Sequence, residues 1–312
     1  MPTYESSFPQ LLYPGLVHIW GTSYPMYKPE YSMLFPKKPT KQAYEKSLGM
    51  SGFGRAVLKE EGKNIYYDTP FQGYTQSIYQ YVRGLGFIVT KEMYTDDQYN
   101  KINALPKSLK YSMHETKEWD AWSIINNGQS ASYTGADGVS LINTLHPLLR
   151  GGYLANCPST PSDLSYTALE QAFIDIQAWT NDDGLLVHLK PRRLWVTPTN
   201  DWQAHALTKS PKNPEQPASN AVNPLADGHE TGSFPQGYAV THYVTDTDFW
   251  GIETECEYGF VWYEHSKWGL EFTRDNDFGS DNGLYKATDR YAFAWDNPRC
   301  MYASYGSATG SY

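Results

Sequence analysis

The chain has few of the features that mark secreted or membrane-embedded proteins. Its three cysteines, Cys157, Cys256 and Cys300, include no CxxC pair, and this odd number suits neither a disulfide framework nor a zinc site. No apolar run approaches the roughly 18 residues that a membrane-spanning helix needs. The first residues lack the basic and apolar regions of a signal peptide. We therefore expect reduced thiols and folding in the cytoplasm.

Positive charge is also scarce. The 312 residues include 25 Lys and Arg against 34 Asp and Glu, which gives a formal net charge of -9. Such a balance provides no overall attraction to phosphate backbones, so it disfavours a dedicated nucleic-acid reader. Aromatic residues are abundant instead, at 15% of the chain. This content is too high for a disordered protein and indicates a folded core or extensive contacts.

Motifs for catalysis and metal binding are missing from the sequence. The segment His114–Glu118 lacks the second His of a zinc protease helix. Cys157 and His146 have no identifiable oxyanion donor, which disfavours a nucleophile and base. A calcium loop would require a different spacing of the acidic residues, and a solvated turn is favoured at Asp275, Asp277 and Asp281. We therefore predict no enzyme activity, no catalytic residue, no metal site and no cofactor.

Two segments near the N-terminus resemble an arm followed by a hairpin. Residues 1–50 are rich in Pro and Tyr and have no sustained period, so they predict an extended arm that docks on its own body or a neighbour. Strand-forming residues then occupy Ala56–Leu58, Ile65–Tyr67 and Tyr74–Val89, with turn formers between them. This order predicts a long hairpin whose tip lies within Glu61–Gly73.

Helices are predicted in the middle of the chain. A capping box at Thr95–Gln98 begins a helix that continues to Asn127, with a kink or split at Pro106. A second helix starts at Ser165 or Thr167 and ends before Asp182. A short helix is expected over 201–209, and a long polar loop over 210–234.

Strands are predicted around these helices, which indicates an α+β class. The predicted runs include Leu185–Leu189 and Leu194–Thr197, a meander through 238–273, and a strand pair within Tyr285–Trp295. Glu253, Glu255 and Glu257 alternate with other residues, which on a strand would align three carboxylates on one face. A solvent-exposed sheet face, a contact between subunits or acid/base chemistry would each explain this row.

Several blocks, taken in order, resemble the major capsid proteins of tailed bacteriophages, and especially the Mu-type major head subunits. They are Asp137-Gly138 with Leu145-His146-Pro147 and Asn156; Asp163-Leu164-Ser165 with Leu169 and Ala172; Asp182-Asp183-Gly184; Pro191 to Val196; and Asn220 to Leu225. Upstream, Tyr81 to Thr90 and Asp96 to Tyr99 also resemble the family. The likeness covers about residues 50 to 230.

The resemblance implies the Hong Kong 97-type capsid fold and gives each segment a place in it. Residues 1–50 would form the N-terminal arm and 51–92 the extended E-loop hairpin. Residues 93–139 would form the peripheral domain with its spine helix, 140–245 the axial domain, and 246–312 the return strands of the peripheral domain.

The implied function is a major capsid protein that self-assembles, as hexamers and pentamers, into an icosahedral shell around double-stranded DNA. Implied partners are other copies of the chain, a portal protein, a separate scaffolding protein, a possible cement protein and DNA bound non-specifically. The protein would be assembled in the bacterial cytoplasm and reside in the virion. Candidate subunit contacts are Trp20, Tyr27, Phe35, Arg55, Lys59, Glu61, Lys63, Phe71, Glu253, Glu255 and Glu257.

Two other readings remain open from the sequence. A decoration or tail-tube subunit would share self-association but would not need a spine helix followed by a central α+β domain. A carbohydrate-active enzyme or lectin would explain the aromatic and acidic residues. That reading gives the arm and the hairpin no role.

Overall fold

The helices and strands follow one another without regular alternation, which confirms the α+β class. A computed structural model describes residues 29–95, 102, 104–213, 222–226, 234–277, 279–280 and 282–306. The α-helices in these residues are α1 (Tyr31–Leu34), α2 (Lys91–Thr95), α3 (Ala104–Asn126), α4 (Tyr166–Gln177) and α5 (Asp201–Lys209). Single 3-10 turns lie at Pro198–Asn200 and Pro298–Cys300.

The described strands fall along the whole length of the chain. They are β1 (Lys37–Thr40), β2 (Tyr44–Met50), β3 (Gln72–Tyr79), β4 (Tyr81–Val89), β5 (His146–Pro147), β6 (Tyr153–Leu154), β7 (Pro191–Val196), β8 (Tyr238–Val240), β9 (Trp250–Thr254), β10 (Phe260–His265), β11 (Glu271–Asn276), β12 (Gly283–Trp295) and β13 (Met301–Ser304). The chain divides into two compact units.

The first unit contains the described residues in 29–45, 79–121 and 262–293. Its sheet has the order β1-β10-β12-β11, and β4 pairs antiparallel with β12. Helix α3 packs on this sheet because Leu109 and Met113, one turn apart, are buried with Ala287 of β12. Tyr285 and Ala287, which alternate along β12, are both buried on the inner face of the sheet.

The second unit contains the described residues in 46–78, 122–261 and 294–306. Its four-stranded sheet has the order β13-β9-β7-β8, in which β7 is antiparallel to β9 and parallel to β8. Helix α4 begins as predicted, since the Ser165 hydroxyl accepts a hydrogen bond from the Ala168 amide at 3.1 Å. Its apolar stripe lies in the core, and the buried residues are Leu169, Ala172, Phe173 and Ile176.

Residues of the capsid-like blocks meet in the loop that follows α3. The ring of His146 connects two parts of this loop: Nδ1 lies 2.6 Å from Asp137 Oδ2, and Nε2 lies 3.2 Å from the Leu141 carbonyl oxygen. Asn156 is completely buried. Its amide donates to the carbonyl oxygens of Leu141, at 2.6 Å, and of Pro298, at 3.0 Å. These blocks therefore fix backbone that has no strand or helix partner.

Two predicted strand assignments are wrong. The run Leu185–Leu189 forms only an isolated bridge between Thr180 and Leu186. His188 has a φ of 47°, in the left-handed region, which interrupts an extended chain. The expected strand pair within Tyr285–Trp295 is one continuous strand, β12. This run contains neither Gly nor Pro, so it lacks the residues that favour a tight turn.

The hairpin differs from the prediction in its strands and agrees in its tip. The paired strands are β2 and β3, whereas Ala56–Leu58 and Ile65–Tyr67 are not strands. The turn lies at Glu61–Gly62, where Gly62 has a φ of 78°.

The capping box at Thr95–Gln98 lies largely outside the described residues. Helix α3 begins at Ala104, which places Pro106 in its first turn, where a missing amide hydrogen costs little.

We expect Asn156→Ala to lower the free energy of unfolding by at least about 2 kcal/mol, because it leaves buried backbone groups without partners. Urea unfolding of unassembled subunits would measure the loss. Asn64→Ala, at an exposed position, is the control and should change the value by less than about 0.5 kcal/mol. Equal unfolding midpoints for both variants would contradict the role assigned to Asn156.

The three cysteines are free, and burial raises the pKa of Cys157 and of Cys256 to about 11. Burial also raises the pKa of the Cys300 thiol. We predict that iodoacetamide at pH 8 alkylates the native chain on the order of 100-fold more slowly than the urea-unfolded chain, since only the thiolate reacts. Fast labelling of native Cys157, located by peptide mass spectrometry, would contradict this.

Candidate assembly surface

The segment between β2 and β3, residues 51–71, exposes a large amount of apolar surface; we call it the E-loop. It contains no strand or helix residue. Leu58 is 89% exposed and Tyr67 86% exposed. The other large apolar residues with more than half of their surface exposed are Phe53, Val57, Ile65, Tyr66 and Phe71. A concentration of apolar side chains on this scale marks a surface that contacts another molecule.

An ion-pair group holds the base of the E-loop to the second unit. Asp68 accepts a hydrogen bond from the Gly54 amide at 2.8 Å and pairs with Arg150, whose Nη2 lies 3.0 Å from Asp68 Oδ2. Arg150 also contacts Asp183, with 2.7 Å between Nε and Oδ1. One guanidinium therefore connects a loop carboxylate to a carboxylate that is buried in the body of the unit.

Local electrostatics agree with this anchor. The hydrogen bond from the Gly54 amide, and then that from Arg150, hold the pKa of Asp68 below its ordinary value. The bond to Asp68 likewise raises the pKa of Arg150. The two chain ends of the loop are joined as well, because the Phe71 amide donates to the Ser51 hydroxyl at 2.8 Å. The E-loop thus has a fixed base and an exposed tip.

The predicted contact residues of the hairpin lie on this surface. Arg55, Lys59, Glu61 and Lys63 are exposed, and Lys63 pairs with Glu60 in an exposed salt bridge. Phe71 lies under the guanidinium of Arg150, 5.2 Å from it. Charged and apolar side chains are therefore both exposed along the loop, which suits a contact with an apolar centre and a polar rim.

The predicted contact residues of the arm have a different outcome. Trp20 and Tyr27 lie outside the described residues. Phe35 is fully buried and packs edge-on against Phe293 within the first unit. Its side chain already has its contacts inside one chain, so the basis for an interface role of Phe35 is lost.

The acidic row is not a row in the structure. Strand β9 ends at Thr254, so Glu253, Glu255 and Glu257 do not share a strand face. Glu253 is buried and bound within the second unit: the Trp195 ring nitrogen donates to Oε2 at 3.0 Å, and Arg192 Nη1 lies 3.3 Å from Oε1. Glu255 and Glu257 are exposed. Of these three residues, Glu255 and Glu257 remain predicted contact residues.

Burial raises the pKa of Glu253, and the hydrogen bond from Trp195 and the charges of Arg193 and Arg192 oppose this effect. The Glu253 carboxylate on β9 therefore joins this strand to Trp195, Arg192 and Arg193 on β7. Arg192 and Arg193 both pair with this carboxylate inside the chain. Because Glu253 is buried, the interpretation of a solvent-exposed sheet face is wrong for this residue.

Sequence reasoning missed the anchor of the E-loop. Arg150 and Asp68 are 82 residues apart, and no local pattern pairs them. In the sequence, Asp183 stands out only as part of the Asp182-Asp183-Gly184 block. The contact depends on tertiary placement, which residue periodicity does not encode.

The described residues contain no group of three or more His, Cys, Asp or Glu placed to hold a metal ion. None of the helices described is long and apolar enough to cross a membrane.

His146 is engaged with Asp137 and the Leu141 carbonyl, and burial raises the pKa of Cys157. The raised pKa disfavours the thiolate form of Cys157 that nucleophilic chemistry needs.

Comparisons with solved structures point to capsid shells. The mature capsid asymmetric unit of bacteriophage PhiM1 has a TM-score of 0.57 and 11% identity, covering 90% of this chain and 88% of that chain. The capsid of a native GTA particle has a TM-score of 0.55 and 9% identity, covering 90% and 91%. A virus-like particle from Pyrococcus furiosus has a TM-score of 0.51 and 11% identity, covering 95% and 99%. These similarities confirm the Hong Kong 97-type fold.

No curated protein matches the chain. A family model described as phage capsid protein matches residues 73–304, which is well over half of the sequence. The chain therefore belongs to the phage capsid protein family, and it is a major capsid protein.

Proposed function

We propose that identical copies of this chain assemble, as hexamers and pentamers, into an icosahedral shell around the double-stranded DNA of a tailed phage. The observation that carries this proposal is the E-loop, which exposes apolar side chains while its base is held by Arg150 and Asp68. A second copy supplies the surface that covers them, because identical subunits can repeat one contact around a closed shell.

The domain layout belongs to the same proposal. We assign 1–50 to the arm, 51–92 to the E-loop hairpin, 93–139 to the peripheral domain with its spine helix, 140–245 to the axial domain and 246–312 to the return strands. The described elements support parts of it: α3 is the longest described helix and β12 the longest described strand, and they pack together in the first unit. Strands β9 and β13 depart from the layout, because they lie with β7 in the sheet of the second unit.

The charge of the chain suits a container for DNA. With a net charge of -9, the shell would bind phosphates weakly and non-specifically, which favours the entry and exit of a packaged genome. A portal protein, a scaffolding protein and a cement protein remain proposed partners that rest on the family resemblance. Assembly in the host cytoplasm and a structural role, in which the protein is not an enzyme that acts on a substrate, are proposed on the same ground.

We expect the double substitution Leu58→Ser, Tyr67→Ser to reduce the yield of assembled shells at least tenfold. Both side chains are exposed in the single chain, so the change removes apolar contact between copies and leaves the unassembled subunit nearly as stable. Sedimentation of expressed particles, with urea unfolding of the subunit, measures both effects.

The matched control for that experiment is Leu58→Met, Tyr67→Phe, which keeps apolar side chains at both positions. This control should assemble like the wild type. Normal shell yield from the serine variant would show that the E-loop is not an assembly surface.

Asp68→Asn should loosen the base of the E-loop without unfolding the subunit, since Arg150 keeps its contact with Asp183. We expect chymotrypsin to cleave unassembled subunits within 51–71 several-fold faster in this variant. Glu60→Gln, which removes an exposed ion pair with Lys63, is the control and should be cleaved like the wild type. Equal cleavage of all three proteins would refute the anchoring role of Asp68.

A further inference from the structure

A lysine lies buried between two carboxylates in the first unit. Lys117 of α3 places Nζ 2.8 Å from Asp289 Oδ2 on β12 and 3.2 Å from Glu264 Oε1 on β10. The side chains of Lys117 and Asp289 are 6% and 3% exposed. The amine and the carboxyl group are thus in direct contact at a site that is nearly closed to water.

Aromatic rings enclose the reacting groups. Lys117 Nζ lies 4.5 Å from the ring centre of Trp262 and 4.7 Å from that of Tyr291. Asp289 Oδ1 is buried and has no hydrogen-bond partner among the described residues. A carboxylate with an unpartnered oxygen in such surroundings is costly, whereas the carbonyl oxygen of an amide carries no net charge and costs less to bury without a partner.

Glu264 is the more accessible member of the group, at 17% exposure. Burial opposes ionisation of Glu264, but the hydrogen bond from Lys37 and the charge of Lys117 hold its pKa below the ordinary value. The side chain is therefore held as a carboxylate. Because Oε1 lies 3.2 Å from Lys117 Nζ, this carboxylate is placed to accept a proton from the amine. Its partial exposure also gives a released water molecule a way out.

We propose that Lys117 and Asp289 condense into an isopeptide bond within one chain, with Glu264 as the catalytic residue. A proton first passes from Nζ to Asp289 Oδ2, which gives an amine and a carboxylic acid. Nζ then attacks Cγ of Asp289, and Glu264 takes one proton from the nitrogen. The Cγ–OH bond breaks, and Glu264 returns the proton to the departing hydroxide.

The products are an amide and one water molecule, and no oxidant or reductant is needed. The fold supplies the main advantage, because it holds the two reactants in contact and shields them from bulk water. The bond would join α3 to β12 covalently, and it does not depend on the proposed assembly.

Mass spectrometry of the denatured wild-type chain tests this directly. The expected mass is lower than the sequence mass by one water molecule. Trypsin should fail to cleave after Lys117, so that the peptide Tyr111–Arg150 appears joined to the peptide Ala287–Arg290. The full sequence mass, with cleavage after Lys117, would reduce the site to a buried salt bridge and overturn the proposal.

Glu264→Gln separates catalysis from placement. This variant should have its full sequence mass and a free peptide Ala287–Arg290. Glu271→Gln, at an exposed position on β11, is the control and should still lose one water molecule. In Asp289→Asn any bond would form with loss of ammonia instead, so the mass identifies the reacting side chain. Water loss from Glu264→Gln would exclude its catalytic role.

Discussion

The decisive constraint on this protein is that the E-loop cannot bury its own apolar side chains. A loop of this length would need a strand partner or a core to cover Leu58 and Tyr67, and the described residues provide neither. The loop is nevertheless not free, because Asp68 and Arg150 fix its base. A fixed base with an uncovered apolar tip suits a contact that is completed by another molecule, since the ordering cost is partly met within the subunit.

Charge is placed differently in the two units and in the loop. Lys117 and Glu253 are buried and have their partners within their own units, where a missing partner would be expensive. The charges at the tip of the E-loop, such as Lys63 and Glu60, are exposed and form at most weak pairs. Each unit therefore has a specific interior, while the loop has a surface that can be rearranged at little cost.

Sequence reasoning could identify the elements whose information is local. Helix α4 has its cap at Ser165 and a four-residue apolar stripe, and both were visible as a pattern. The strands Ala56–Leu58 and Leu185–Leu189 failed because strand propensity requires a partner strand. Arg150 could not be paired with Asp68 from sequence, and Glu253 was misplaced because the end of β9 depends on its neighbours. The family resemblance added the fold that these local patterns could not fix.

Repetition explains how modest contacts could support a shell. Substitutions at the E-loop tip affect one contact on each subunit, yet every subunit in a closed assembly makes that contact and receives it. Affinity then arises from many linked contacts, each weak enough to break and form again. Strong, specific interactions are best kept inside the subunit, as they are at Asn156 and Glu253. A misplaced copy can then leave without unfolding, which is the physical condition for a regular shell.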